Sequence, residues 1–128
     1  MTPEDSTIDA TTIRLFDKAD DLQSYSAGTT IFQAGDPRQF MYVVVEGRVD
    51  LYVNNVLVET VERGGIFGEM ALIEQDVRAA SAVARTDCKV AMIDENRFSF
   101  MIERTPYFAL KVMRCLVKRL RRMNARLQ

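Results

Sequence analysis

Residues 41–62 read MYVVVEGRVDLYVNNVLVETVE, and this stretch decides the fold. Valine, tyrosine, leucine and threonine dominate it, which is typical of short β-strands. Gly47 interrupts the first run, and Asn54-Asn55 fits a two-residue hairpin turn because asparagine tolerates the positive φ angles that such turns need. The stretch therefore predicts three consecutive strands, namely Met41 to Glu46, Arg48 to Val53 and Val56 to Glu62.

Similar short runs lie on both sides of this stretch, from Leu22 to Asp94. Turn residues separate them at Gly35-Asp36-Pro37 and at Gly64-Gly65. They predict four more strands, namely Leu22 to Tyr25, Thr30 to Phe32, Ala80 to Arg85 and Lys89 to Ile93. Many short strands joined by tight turns indicate a barrel or a sandwich, so we expect a mainly β protein with flanking helices.

The pattern of apolar residues becomes helical after Asp94. It predicts one helix over Glu95 to Arg104 and a long helix from Tyr107 to the end of the chain. Pro106 stands where a first-turn proline belongs. A further short helix is predicted near residues 11–16, where apolar side chains follow two threonines that can cap it.

Apolar residues on the long helix recur with spacings of four and three, which is the a/d pattern of a coiled coil. They are Ala109, Met113, Leu116, Leu120, Met123 and Leu127. Two interpretations stay open. Either the helix forms a homodimer through this seam, or it packs on its own barrel with additional contacts from Phe108, Val112 and Val117.

The chain has 128 residues, of which 48% are hydrophobic, so it can bury one core and is too short for two domains of ordinary size. We expect a single domain over residues 1–128, with the β part at about 22–94 and the helices at about 95–128. No run approaches the roughly eighteen apolar residues of a membrane helix, and the acidic N-terminus lacks the order of a signal peptide. We therefore expect a cytoplasmic protein without a membrane partner.

Histidine is absent from the sequence. This excludes Ser-His-Asp and Cys-His catalysis, histidine zinc sites and the commonest general base. The two cysteines, Cys88 and Cys115, lie far apart in apolar surroundings, which is typical of reduced core residues and not of a disulfide or a metal site. We expect a protein that is not an enzyme and that needs no metal or cofactor.

The net charge of −1 conceals an asymmetry along the chain. Residues 1–110 carry 10 basic and 18 acidic side chains, whereas residues 111–128 carry 7 basic side chains and no acidic one. Such a basic helix is usually a solvated face, or it balances an acidic body. Nucleic-acid binding is the less favoured interpretation, because no recognition helix or interleaved aromatic residues accompany the basic residues.

Residues 64–72, GGIFGEMAL, combine three glycines with residues that can form one helical turn. The N-terminus of such a turn presents unpaired N–H groups to an anion. Arg78 follows nine residues after Glu69, its planar guanidinium suits a phosphate, and the small pair Ala79-Ala80 lets a ligand approach the backbone. Glu69 would repel a phosphate placed beside it, but it can accept a hydrogen bond from a sugar hydroxyl.

Residues 67–81, FGEMALIEQDVRAAS, resemble the phosphate-binding cassette of the cyclic nucleotide-binding domain family. The Gly-Glu pair, the apolar short helix and Arg-Ala-Ala have the spacing found in regulatory subunits of cAMP-dependent protein kinase. The C-terminal part is similar to the bacterial catabolite activator protein. The resemblance covers roughly residues 10–128. It implies an antiparallel, jelly-roll-like β-roll with a short phosphate-binding helix and a long C-terminal helix.

The resemblance also implies roles for individual residues. Arg78 would pair with the cyclic phosphate, Glu69 would accept a hydrogen bond from the ribose 2′-hydroxyl, and Asn124 on the long helix would bind a base edge. Ala79 favours cAMP over cGMP as the ligand, because cGMP-selective members commonly carry a hydroxyl-bearing residue at that position. Backbone N–H groups would complete the site near Gly68, Met70, Ala71, Ala79 and Ala80.

The implied function is a regulatory module that signals through movement of its C-terminal helix. The alternative is a ligand-free β-roll that serves as an interaction or dimerisation module. The loop Glu74 to Val77 departs from the family pattern, because it lacks the usual glycine or proline and adds two acidic residues near the phosphate position. We expect no DNA-binding domain of the catabolite activator kind in this sequence, so a transcription-factor role would require a partner or a longer parent protein.

Overall fold

Residues 22–36, 40–69 and 80–126 are described by the structure, which is a computed structural model of the chain. Two antiparallel four-stranded sheets make up most of these ranges, and two helices follow them. The predicted short helix near residues 11–16 lies outside the described residues.

Eight strands occur within the described ranges: β1 (Gln23–Tyr25), β2 (Thr30–Phe32), β3 (Met41–Glu46), β4 (Val49–Val53), β5 (Val56–Val61), β6 (Ile66–Phe67), β7 (Ser81–Ala84) and β8 (Cys88–Ile93). One sheet has the order β1-β8-β3-β6 and the other β2-β7-β4-β5. Among these eight strands, only β4 and β5 follow one another within the same sheet, and every other step from one strand to the next passes between the two sheets. The arrangement confirms the predicted mainly β class and its antiparallel β-roll.

The hairpin predicted at Asn54-Asn55 joins β4 to β5. Val53 pairs with Val56 across it, and the two asparagines have φ angles of 51° and 63°. Positive φ at both central residues is the mark of a type I′ turn, whose twist matches that of the paired strands. A local residue preference was therefore sufficient to predict this hairpin.

The short strand β6 is one that the sequence does not predict. It pairs with β3, and the backbone of Val44 extends the pairing by accepting from Gly64 N at 2.8 Å and donating to Gly65 O at 3.0 Å. A Cβ atom on Gly65 would lie 2.5 Å from Cγ1 of Val61, so this close approach requires glycine. A two-residue strand next to glycines shows no period that a sequence pattern could reveal.

Strand β3 has apolar side chains on both faces and separates two hydrophobic cores. Met41, Val43 and Val45 contribute to the core that includes the helices, whereas Tyr42 and Val44 contribute to the core inside the roll. Because both faces are covered, the strand reads as a continuous apolar run in the sequence. The helical members of the first core are Met101, Phe108, Val112 and Cys115.

Cys88 and Cys115 are both free and buried, as predicted. Cys88 belongs to the core inside the roll and Cys115 to the core beneath the helices. Burial raises the pKa of each thiol above its ordinary value. Buried thiols of raised pKa are packing groups with little reactivity at neutral pH.

Two helices end the described chain: α1 spans Glu95–Arg104 and α2 spans Pro106–Arg126. Asp94 caps α1, because its Oδ1 accepts a hydrogen bond from Arg97 N at 2.7 Å. α2 packs against the roll through its buried residues Phe108, Val112 and Cys115. Neither helix combines the length and the apolar character needed to cross a membrane, as judged over the described residues.

The outward face of α2 carries an apolar stripe, which we call the outer stripe. It consists of Leu110, Met113, Val117 and Leu120, which are all exposed and recur with spacings of three and four. Met113 and Leu120 belong to the predicted seam, but its member Leu116 packs against the inner core. Val117 was expected to add intramolecular contacts and is instead 45% exposed. The predicted seam is thus divided between two faces of the helix.

Candidate functional site

Gly68 and Glu69 lie directly after β6, where the chain leaves the sheet. The pairing of β6 with β3 holds this point against the roll. Gly68 has a φ angle of 72°, a left-handed value that favours glycine. The next residue, Glu69, is buried, with only 5% of its surface exposed. A buried carboxylate needs charged or hydrogen-bonding partners.

The partner of Glu69 is Arg119 of α2, 50 residues further along the chain. Arg119 Nη1 donates to Oε1 of Glu69 at 2.6 Å. The same guanidinium binds Glu59 of β5, with Nε donating to Oε1 at 3.0 Å and Nη2 donating to Oε2 at 2.7 Å. Nη2 also donates to the carbonyl oxygen of Ile66 at 2.8 Å. We call Glu59, Glu69 and Arg119 the ion cluster; it joins α2 to β5 and to the end of β6.

The carboxylate of Glu69 uses one of its two oxygens in this cluster. Within the described ranges, its hydrogen bond and its ion pair both involve Oε1. An ionised carboxylate has about four acceptor positions on its two oxygens. Oε2 is therefore suited to accept a hydrogen bond from a ligand hydroxyl while Oε1 stays bound to Arg119.

The charge of the cluster is balanced inside the protein. Burial by itself would lower the pKa of Arg119, but the adjacent carboxylates of Glu69 and Glu59 outweigh this effect and raise that pKa above its ordinary value. Arg122 adds a second cation, with Nη1 at 3.6 Å from Oε1 of Glu59. Two carboxylates thus meet two guanidinium groups, which reduces the cost of burying the charges.

The structure describes four of the residues predicted to bind a ligand. Glu69 belongs to the ion cluster and Gly68 precedes it, Ala80 lies partly buried directly before β7, and Asn124 is exposed near the end of α2. The structure thus brings the Gly-Glu pair against the helix that carries Asn124. The other four lie outside the described residues, and their roles stay predictions: Met70, Ala71, Arg78 and Ala79.

Glu59 and Arg119 belong to the candidate site but were not predicted from the sequence. Arg119 was grouped with the other basic residues of the last helix as part of a solvated or charge-balancing face. The spacing of Arg119 indicates that it shares the inner face of α2, because Val112, Cys115 and Arg119 follow one another at intervals of three and four. A cation on an otherwise apolar stripe requires a buried anion. Glu59 has no comparable signal, since an acidic residue in an alternating strand is ordinary.

Residues 22–105 match the family model described as cyclic nucleotide-binding domain. A cAMP-dependent protein kinase regulatory subunit from Aspergillus niger is 40% identical to this chain over 84 residues, which is 64% of this chain and 20% of that protein. A second such subunit, from Candida albicans, is 41% identical over 76 residues, which is 59% of this chain and 17% of that protein. The chain therefore spans about a fifth of the length of these curated relatives.

Solved structures agree with the family match. The catabolite activator protein of Thermus thermophilus superposes with a TM-score of 0.78 at 27% identity, covering 99% of this chain and 59% of that one. The c-di-GMP responsive regulator CLP of Xanthomonas campestris gives a TM-score of 0.79 at 27% identity, covering 91% of this chain and 62% of that one. Because the family match includes the β-roll together with Gly68 and Glu69, the chain belongs to the cyclic nucleotide-binding domain family.

Proposed function

We propose that this chain is a regulatory module that binds a cyclic nucleotide, with cAMP favoured over cGMP. One observation carries the proposal: the buried carboxylate of Glu69 is held by Arg119 through Oε1, which leaves Oε2 to accept from a neutral hydroxyl. The relatives named as cAMP-dependent kinase subunits support cAMP as the ligand. No chemical step on the ligand is part of this proposal.

The ribose 2′-hydroxyl donates to Oε2 of Glu69 in the proposed complex. Hydrogen bonds to an ionised acceptor are stronger than those between neutral groups, and burial of Glu69 reduces competition from water. A ligand that lacks the 2′-hydroxyl would leave this acceptor unsatisfied, which costs about 1–3 kcal/mol. Glu69 therefore selects ribonucleotides over deoxyribonucleotides.

The cyclic phosphate is assigned to Arg78 and to backbone N–H groups. Glu69 cannot bind it, because two anions repel each other. Arg119 cannot replace Arg78, because its three nitrogen atoms already donate to the ion cluster and to a backbone carbonyl. The proposed N–H donors belong to Gly68, Met70, Ala71, Ala79 and Ala80.

The base is assigned to Asn124 of α2. Asn124 follows Arg119 by five residues, which places it about 7.5 Å farther along the helix axis. The side-chain amide both donates and accepts hydrogen bonds, as a base edge requires. Ala79, which brings no hydroxyl to a guanine, is the further reason for preferring cAMP.

The proposed signal is a shift of α2 when the ligand binds. A 2′-hydroxyl that donates to Glu69 weakens the attraction between the Glu69 carboxylate and Arg119. Ligand binding therefore changes the contact that joins α2 to the end of β6. The helix also carries the outer stripe, so a shift would change the surface offered to a partner. Structures with and without cAMP test this step, and an unchanged position of α2 would contradict it.

We further propose that the outer stripe is where two copies of the chain associate. Its residues Leu110, Met113, Val117 and Leu120 are exposed and recur with the spacings of three and four that the seam of a two-stranded coiled coil has. The proposed homodimer therefore uses the outer stripe and not the predicted seam. The two sets share Met113 and Leu120 and differ at the positions between them.

Calorimetric titration of the chain with cAMP, cGMP and cyclic di-GMP tests the proposal. We expect saturable binding of one nucleotide per chain, tightest for cAMP and weaker for cGMP. Cyclic di-GMP is included because a structural relative responds to it. Absence of binding by all three at high micromolar concentration would favour the alternative function, an interaction module whose exposed apolar surface is the outer stripe.

A further inference from the structure

Glu59 is a charged residue in the middle of β5 whose side chain points away from solvent. Only 16% of that side chain is exposed. Its carboxylate binds the Nε and Nη2 atoms of Arg119 at 3.0 Å and 2.7 Å, which is the side-on, two-bond geometry that Arg–carboxylate pairs favour. The strand, and not the helix, therefore fixes the orientation of the guanidinium.

The donors of Arg119 are divided unequally between the two carboxylates. Glu59 occupies the edge formed by Nε and Nη2, and the carbonyl of Ile66 takes a further bond from Nη2. Only Nη1 donates to Glu69, and it reaches a single oxygen, Oε1. Among the described residues, Arg119 thus holds Glu69 by one contact, although a guanidinium facing a carboxylate ordinarily forms two.

We infer that Glu59 is a positioning residue for ribose recognition, because it keeps Arg119 from pairing with both oxygens of Glu69. Without Glu59, the guanidinium is free to turn its two-donor edge towards the remaining carboxylate. That pairing would occupy Oε2, the oxygen that accepts the ribose 2′-hydroxyl in the proposed complex. The inference rests on the proposed function and adds the residue that governs its selectivity for the 2′-hydroxyl.

The surroundings of Glu59 indicate that the fold can survive the loss of this carboxylate. Arg122 approaches Oε1 of Glu59 at 3.6 Å and is more exposed than Arg119. When Glu59 is replaced, Arg122 loses a 3.6 Å contact at a partly exposed position, whereas Arg119 keeps Glu69 as an anionic partner. The variant therefore leaves the buried guanidinium with its charge balanced, and the fold is expected to survive the change.

The test compares Glu59→Ala with the unaltered chain in binding two probes, cAMP and 2′-deoxy-cAMP. The unaltered chain is expected to prefer cAMP by about tenfold, the value of one hydrogen bond to a charged group. Glu59→Ala is expected to weaken cAMP binding by about tenfold and to change 2′-deoxy-cAMP binding by less than about twofold, so the preference disappears. Glu59→Gln retains one acceptor for Arg119 and should lose less.

Glu62→Ala is the matched control, because it removes an exposed carboxylate close to the end of the same strand. It should keep the preference of the unaltered chain. A Glu59→Ala variant that loses both ligands equally would overturn the inference in favour of a structural role, and one that keeps the full preference would overturn it directly. Failure of the proposed function is a different result, since the unaltered chain would then bind neither nucleotide.

Discussion

Oε1 of Glu69 and Nη1 of Arg119 lie 2.6 Å apart and join the end of β6 to α2. Both side chains are largely withdrawn from solvent, with 7% and 18% exposed. A buried ion pair is weak evidence for stability by itself, but removing one partner leaves the other charge uncompensated. The pair therefore makes the candidate ribose carboxylate and the position of the last helix depend on each other.

Replacing Arg119 by alanine should lower the free energy of unfolding by about 3 kcal/mol or more, because two buried carboxylates lose their shared cation. Urea unfolding measures the change. Arg119→Lys retains the charge but not the planar fork, so it should recover only part of the loss. Arg121→Ala, at an exposed position on the same helix, should change stability by less than about 0.5 kcal/mol. Equal effects at the two positions would contradict a structural role for the ion cluster.

Replacing Arg78 by alanine should weaken cAMP binding by about 2 kcal/mol or more, roughly thirtyfold, because the phosphate loses its charged partner. Calorimetric titration measures the affinity, and thermal unfolding without ligand verifies that the variant is folded. Arg121→Ala, which removes an exposed cation from α2, serves as the control and should bind cAMP like the unaltered chain. Unchanged affinity in Arg78→Ala would mean that the phosphate lies elsewhere.

Replacing Leu120 by glutamate should convert a dimer of this chain to a monomer, because it buries a charge within the proposed outer-stripe interface. Sedimentation equilibrium measures the mass across a concentration series. Ala125→Glu places the same charge on an exposed position of α2 beside the stripe, and this variant should remain dimeric. Identical behaviour of the two variants would argue against association through the stripe.

The free energy of unfolding should fall in mildly alkaline solution. Burial raises the pKa of Cys115, Cys88 and Tyr25 above their ordinary values. The unfolded chain therefore releases these protons at a lower pH than the folded chain. The contribution of these groups to the free energy of unfolding is fully present below about pH 8.5, the ordinary thiol pKa, and it declines as the pH rises through the raised pKa values.

Urea unfolding at about pH 7.5 and about pH 9.5 measures this decline. Cys115→Ala should reduce the difference between the two conditions, although the variant is less stable at both because it leaves a cavity. Cys88→Ala provides a parallel comparison in the other core. Stability that is equal or greater at the higher pH would refute the prediction.

Much of the β-roll could be predicted because its signals are local. Short runs rich in β-branched and aromatic residues between turn residues indicated the strands, and Asn54-Asn55 indicated a turn whose φ angles the structure reproduces. The two-residue strand β6 could not be predicted, since its pairing with β3 depends on a distant partner and on the close approach that Gly65 permits. Strands this short are defined by their neighbours and not by their own residues.

The candidate site could be predicted only in part. The Gly-Glu pair and Arg78 stood out by type and spacing, whereas Glu59 and Arg119 looked like ordinary surface charges. The predicted helical seam shows the same limit, because spacings of three and four describe two overlapping faces of a helix equally well. Packing against the roll selected the inner face, with Phe108, and left Leu120 on the outer one.

The sequence by itself determined the chain's β-rich class, its hairpin, its two C-terminal helices and the family motif at Gly68 and Glu69, since each depends on residues close together in the chain. The tertiary structure alone decided that Arg119, 60 residues from Glu59 and 50 from Glu69, binds both carboxylates. The physical reason is that a charge can be buried only where the fold brings a counter-charge close to it, and no local sequence pattern specifies such a long-range contact.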